Sequence, residues 1–213
     1  MTLDNILEEL KNAESIVILT HENPDGDAVG SCLAMYSALK QLGKENVDVV
    51  IPKFPKTYRF LPNVDIVKTE GKHQNYDVAI SLDCATIKML NGWANYFESA
   101  NTKIVIDHHA TNTMYGDLNF VNPDSPACCQ ILLTVFEHFG VSLSNEIGKS
   151  IITGIITDTG GFQYKTTRPE TFEFASKLLK IGINISEIYK KAMNTKTIEN
   201  FELRKLAIDR MEF

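Results

Sequence analysis

The sequence predicts an α/β protein with an open, mostly parallel sheet flanked by helices. Two observations carry that expectation. Short, apolar, β-branched runs alternate with helical stretches, as strands buried on both faces do. Three of these runs, 15–20, 76–82 and 103–106, stop at residues that can hold a metal: His21, Asp83 and Asp107-His108-His109. Open parallel sheets bind ligands at the carboxyl ends of their strands, so these polar ends are expected to form one site.

Taken in order, Met1 to Leu10 sets Leu3, Ile6, Leu7 and Leu10 among Asp4, Glu8 and Glu9, the pattern of an acidic amphipathic helix. The first strand ends in His21-Glu22-Asn23-Pro24-Asp25-Gly26-Asp27-Ala28-Val29-Gly30-Ser31. Pro24 and Gly26 force a compact turn, so His21, Asp25 and Asp27 can converge on one volume. Such a cluster repels itself unless a cation sits in it, and imidazole with carboxylate suits manganese, magnesium or zinc. The alternative is an Asp-rich turn with Asp27 as a helix N-cap. A helix follows from Ala28 to about Leu42 and stops at Gly43. Its N-terminus favours a phosphate, with Ser31 either a phosphate contact or a small packing residue.

Val47 to Ile51 reads as the second strand and 52–62 as a solvated loop with Lys53, Lys56 and Arg59. The third strand ends at Asp83 and leads into a helix through Ile87 and Leu90, and the fourth ends at Asp107. His73 and His138 lack a strand-end position and are assigned to surface or packing. Residues 110–126 read as a loop broken by Asn112, Asn122, Pro123, Asp124 and Pro126. A helix from Ala127 to about Phe139 stops at Gly140. Ser142 or Ser144 then caps another, in which Ile147, Ile151 and Ile155 share a face and Ile152 and Ile156 broaden it. It ends at Asp158, beside Gly160 and Gly161, and Asp158 is expected to join the site. Thr167-Arg168-Pro169-Glu170 has capping-box spacing and opens a helix to about Ile181. Helices around Ser186 to Met193 and Thr197 to Glu212 follow, the last with an apolar stripe that has no evident partner.

With 213 residues and 44% hydrophobic content, the chain can bury a full core. A net charge of -6 argues against gripping long nucleic acid through a general field. An anionic substrate must therefore be held locally, by bound cations or by residues such as Lys165 and Arg168. No secretory signal or membrane-length apolar run is present. The four cysteines include an adjacent pair, Cys128-Cys129, but no CxxC, which fits a reducing cytoplasm and helix packing. Neither GxxxxGK[ST] nor GxGxxG occurs, so a nucleoside triphosphatase or dinucleotide oxidoreductase has no support.

In order and spacing, the segment from His21 to Ser31, Asp83, Asp107-His108-His109 and Asp158-Thr159-Gly160-Gly161-Phe162 resemble motifs I to IV of the DHH phosphoesterase superfamily. Within it the chain is most similar to the N-terminal domain of the bifunctional oligoribonuclease and 3'-phosphoadenosine-5'-phosphate (pAp) phosphatase family, the nanoRNases. The resemblance implies two manganese ions, with magnesium or another divalent metal as the alternative. His21, Asp25 and Asp83 would hold one ion; Asp27, Asp83, His108 and Asp158 would hold the other, with Asp83 bridging. His109 would face the scissile phosphate and Asp107 would orient the histidines, while Ser31, Gly161 and Arg168 would contact substrate. The implied substrates are short single-stranded oligoribonucleotides or pAp, with no role for long duplexes or membranes, and a homodimer is permitted.

Members of that family continue into a DHHA1 domain with a GGGH-type loop, which this sequence lacks. Residues 1–185 are therefore expected to be the DHH catalytic domain and 186–213 a helical connector toward an absent second domain. Metal binding is expected to survive better than efficient turnover. Cyclic dinucleotide phosphodiesterases, RecJ-type exonucleases and family II pyrophosphatases share the four motifs, and cyclic dinucleotide hydrolysis is the runner-up. From another class, a non-catalytic metal-dependent nucleotide-binding module would retain the motifs without hydrolysing anything.

Overall fold

The computed structural model describes residues 3–194 and 198–211, in which six strands form one sheet with order β3-β2-β1-β4-β5-β6. These are β1 (Ile16–Leu19), β2 (Val47–Val50), β3 (Val67–Lys68), β4 (Val78–Leu82), β5 (Thr102–Asp107) and β6 (Leu118–Val121). Every neighbouring pair is parallel, as continuous apolar runs require. Ile16 pairs with Val47 on one side and with Val78 on the other. The chain thus builds outward from β1 to β3, then returns to β4 and builds the other way. That switch places the ends of β1 and β4 side by side, where a crevice opens.

Alternate residues of each strand face opposite layers. Ile16 and Ile18 enter the larger core with α1 (Leu3–Asn12), α2 (Gly26–Gln41), α4 (Cys128–His138) and α5 (Asn145–Asp158). Val17 and Leu19 enter a smaller one with Tyr96 and Phe97 of α3 (Ala94–Glu98). The isoleucines and threonines of α5 are poor helix formers, each costing up to about 0.7 kcal/mol. Burial of Ile151, Ile152, Ile155 and Ile156 contributes roughly 1.5–3 kcal/mol apiece and outweighs that. Where α2 crosses α5, a Cβ on Gly30 would sit 2.4 Å from the Ser150 carbonyl oxygen, so only glycine permits this approach.

The structure departs from the sequence expectations at several edges. β6 lies within the stretch expected to be loop; its turn residues hid it, and pairing of Ile104 with Leu118 and Asp107 with Val121 supplies its order. β3, two residues long, was also outside the expectation. The 52–62 segment contains a 3-10 turn, Lys56–Tyr58. After Asp83 the chain forms a 3-10 stretch, Ile87–Trp93, before the short α3. The helix α2 starts at Gly26 because Asp25, not Asp27, is its N-cap, with Oδ1 accepting from Asp27 N and Ala28 N.

α6 (Pro169–Lys180) is capped one position later than the Thr167 spacing suggests. Pro169 occupies the first helical position, where its missing N–H is harmless, and Arg168 N donates to Thr171 Oγ1. α7 (Ile185–Tyr189) runs on into a π turn, Lys190–Asn194. In α8 (Ile198–Asp209), Ile198, Phe201, Leu203 and Leu206 are exposed. Met1, Thr197 and Glu212 lie outside the described residues. The four cysteines are free and buried. His138 meets Asp4 at the surface and His73 meets Asn46, as their sequence positions suggested. No helix among the described residues is long and apolar enough to cross a membrane.

Candidate metal centre

The ends of β1, β4 and β5 meet over the foot of α5, and local chemistry fixes each contribution. Beyond β1, the cap at Asp25 starts α2 and sets Asp27 in its first turn. Asp27 reaches across to α4, where Oδ2 accepts from Cys128 N at 2.6 Å and Oδ1 from Cys129 N at 2.9 Å. Beyond β4, Asp83 adopts φ +55, a left-handed conformation that Asp and Asn tolerate better than other side chains. Its N–H donates to Ile106 O, which ties it to β5. At the end of α5, Gly160 N donates to Thr157 O and Gly161 N to Ile156 O, a paired closure that leaves Asp158 in the last turn.

Asp83 is the hub. Its Oδ1 lies 3.3 Å from His108 Nε2 and 3.8 Å from His109 Nδ1, and its Oδ2 lies 3.9 Å from His21 Nε2. His108 Nε2 also approaches Asp158 Oδ2 at 3.4 Å and Asp27 Oδ2 at 3.9 Å. Two groups gather donor atoms within 4.8 Å of one another: His21 with Asp25 and Asp83, and Asp27 with His108 and Asp158. A third joins Asp83, Asp107, His108 and His109.

This cluster is electrostatically unsatisfied. Burial, then the charge of Asp83, pushes the Asp27 carboxyl up to about 7. Burial and the surrounding carboxylates Asp27, Asp25 and Asp83 push Asp158 up to about 9. Burial works against a charged His108, but Asp83, Asp27 and Asp158 outweigh it and raise its pKa to about 10. Asp83 Oδ1 and His108 Nε2 are buried without a hydrogen bond. Orphaned donor atoms amid carboxylates that resist ionising together are what a divalent cation would relieve, so these residues fit the metal that their types suggest.

The two histidines are held differently. His109 Nδ1 lies 2.7 Å from Asp107 Oδ1, which raises the imidazole's pKa. Asp107 is buried, which alone would raise it, yet His109 and the Asn112 amide hold its carboxyl below the usual range. His108 does not lean on Asp107; its Nδ1 faces the Ser125 carbonyl at 3.3 Å, leaving Nε2 for the carboxylates. The expectation that Asp107 orients both histidines is therefore corrected to His109 alone. Asn112, Ser125 and the Cys128 and Cys129 amides support the site and were missed, because backbone groups carry no sequence signal and Asn112 reads as a loop breaker.

Of the three residues expected to contact substrate, Ser31 and Gly161 are placed otherwise. Ser31 is 0% exposed and its hydroxyl lies 3.3 Å from Cys129 Sγ, the packing alternative rather than a phosphate contact. The Gly161 N–H is occupied at 2.7 Å in ending α5, so it is not free for a ligand. Arg168 lines a cleft beside the cluster, while Lys165 is exposed.

Residues 15–156 match the family model described as "DHH family, N-terminal domain". The chain is similar to the Bifunctional oligoribonuclease and PAP phosphatase NrnA of Thermus thermophilus, with 37% identity over 86% of this chain and 55% of the relative. Its likeness to the NrnA of Bacillus subtilis is 26%, over 86% of this chain and 58% of that one. It spans a little over half the length of these curated relatives. Among solved structures, an exopolyphosphatase-related protein from Bacteroides fragilis superposes with a TM-score of 0.90 at 28% identity, covering 99% of this chain and 65% of that one. RecJ from Thermus thermophilus in complex with Mn2+ shares the fold, with a TM-score of 0.51 at 17% identity over 98% of this chain and 39% of that one.

Proposed function

Because the chain belongs to the DHH family, we propose that its strand-end cluster is the two-metal centre of a phosphoesterase acting on short oligoribonucleotides and pAp. The observation that carries this is Asp83, a buried carboxylate shared between the group with His21 and Asp25 and the group with His108. His21, Asp25 and Asp83 would hold one cation, and Asp27, Asp83, His108 and Asp158 the other, with manganese the proposed metal. Bound divalent cations at such a site polarise phosphoryl oxygens and lower the pKa of water.

The chain's own residues supply the rest. Asp107 locks Nδ1 of His109, so Nε2 of that ring is the atom left to meet a scissile phosphate. The Ser125 carbonyl sets the orientation of His108 in the same way. The cap at Asp25 and the Asp27 bridge to α4 pre-organise two carboxylates before substrate arrives. On this proposal residues 1–185 are the catalytic domain and 186–213 a connector toward a DHHA1-type domain, supported by the exposed apolar residues of α8. The free, buried cysteines support a cytoplasmic setting.

The test is manganese-dependent hydrolysis of a panel of pAp, short oligoribonucleotides, cyclic di-AMP and pyrophosphate, with Asp83→Asn as control. Turnover of pAp and oligomers by the parent alone supports the proposal. Turnover of cyclic di-AMP alone assigns the cyclic dinucleotide activity instead. Silence across the panel with two equivalents of metal bound, persisting when a DHHA1 domain is supplied, makes the chain a binding module.

A further inference from the structure

Asp158 sits in the last turn of α5, and the chain is closely packed on either side of it. One residue earlier, Thr157 meets the start of α2, where a Cβ on Gly26 would lie 2.4 Å from Thr157 Cγ2. On the other side, Gly161 meets a side chain of α7. A Cβ on Gly161 would lie 2.5 Å from Tyr189 Cε2 and 3.4 Å from its Cδ2 and Cζ, so the edge of the Tyr189 ring rests on the Gly161 backbone. That backbone closes α5, because Gly161 N donates to Ile156 O at 2.7 Å.

Tyr189 is itself held from several directions. The Asn184 side chain caps α7 by accepting from Glu187 N, and Ile188 is 4% exposed within the larger core, against which Tyr189 and Met193 also pack. The π turn that follows, Lys190–Asn194, packs on α5 and on the 3-10 turn Lys56–Tyr58. Lys191 Nζ lies 5.5 Å from the centre of the Phe60 ring, within cation–π range. The 3-10 turn borders the metal centre: burial, then the charges of Asp25 and Asp158, push the Tyr58 hydroxyl up to about 12. The start of the proposed connector is thus fastened to the catalytic domain where Asp158 is held, and π turns are frequent at functional sites.

We propose that Tyr189 is a positioning residue for Asp158, its ring bracing the turn at Gly160 and Gly161 so that the carboxylate keeps its place 3.4 Å from His108 Nε2. The role of Asp158 as a ligand rests on the function proposed above; the brace can be measured without turnover. Manganese titration, and amide hydrogen exchange at Gly161 in the metal-free protein, would compare the parent with Tyr189→Ala, Tyr189→Phe and Ile188→Val.

Tyr189→Ala is expected to weaken uptake of one manganese ion about tenfold and to speed exchange at the Gly161 amide. Tyr189→Phe keeps the ring edge and should stay within about twofold of the parent in both readouts. Ile188→Val should lower the melting temperature and leave both unchanged, which separates bracing from general stability. If Tyr189→Ala does not fold, Tyr189→Leu decides. Manganese uptake equal to the parent's in the folded variant overturns the proposal, as does weakened uptake with unchanged exchange, or an equal loss in Ile188→Val. Hydrolysis of the panel with uptake unaffected by Tyr189→Ala removes the brace and leaves the phosphoesterase standing; weakened uptake in a chain whose parent hydrolyses nothing does the reverse.

Discussion

The Asp27 carboxylate bridges two helices, accepting the Cys128 and Cys129 amides at the start of α4 from its own place in the first turn of α2. One side chain thus serves as a candidate ligand and as the cap of a neighbouring helix. Asp27→Asn retains one amide acceptor, whereas Asp27→Ala retains none. Urea unfolding in EDTA should find the alanine variant about 1–2 kcal/mol less stable than the asparagine variant. Equal midpoints would remove the capping role.

Asp83 is shared between two groups of candidate ligands, one with His21 and Asp25 and one with Asp107, His108 and His109. Asparagine keeps the left-handed backbone and removes the charge. Asp83→Asn should therefore still fold without metal. The same variant should abolish the thermal shift that manganese gives the parent. Calorimetric melts with and without the metal check both halves, and an unchanged manganese shift would remove Asp83 from the ligand set.

Two glycines separate packing from function. A Cβ at Gly30 meets the Ser150 carbonyl oxygen, and Gly30→Ala should cost about 1–3 kcal/mol by forcing α2 from α5. A Cβ at Gly154 would lie 2.4 Å from Asp27 Oδ1, so Gly154→Ala also displaces a candidate ligand. Manganese titration should show weakened uptake by Gly154→Ala at a temperature where both variants are folded. Equal uptake by the two would contradict this.

Asn112 Nδ2 donates to Asp107 Oδ2 at 2.6 Å and so holds the carboxylate that holds His109. Loss of such supporting contacts typically lowers activity about 10–100-fold. Asn112→Ala is expected to lower kcat on the preferred substrate by about tenfold, with manganese stoichiometry unchanged. A rise in KM alone, with kcat intact, would reassign the residue to substrate binding.

Away from the site, Asp48 is buried on β2 and accepts from Lys68 Nζ at 2.5 Å, Tyr76 OH at 2.6 Å and Lys72 N at 2.8 Å. Burial alone would raise its pKa, but these donors hold it below the ordinary carboxylate value. A depressed folded-state pKa gives stability above the unfolded value of about 3.9, lost as pH falls through the folded value. Asp48→Asn should thus cost about 3 kcal/mol near pH 7, and the gap should narrow below about pH 4. A gap independent of pH would mean that the charge is not its source.

The sequence by itself determined the sheet's central strands, because runs such as Ile16 to Leu19 are short, largely β-branched and apolar on both faces, as strands of a buried parallel sheet are. It also determined the polar residues at their ends, since side chains that cannot join the core must gather where strands leave it. His21, Asp25, Asp27, Asp83 and His108 were legible for that reason, Asp158 as the acid that ends a buried helix, and the structure brings them together. β6 was not, because an edge strand draws its order from β5 rather than from its own residues. Only the tertiary structure decided that Ser31 is buried against Cys129, that the Gly161 amide is spent on ending α5, and that His108 leans on Ser125. Those outcomes depend on which backbone groups meet across helices far apart in sequence, and backbone groups are alike in every residue.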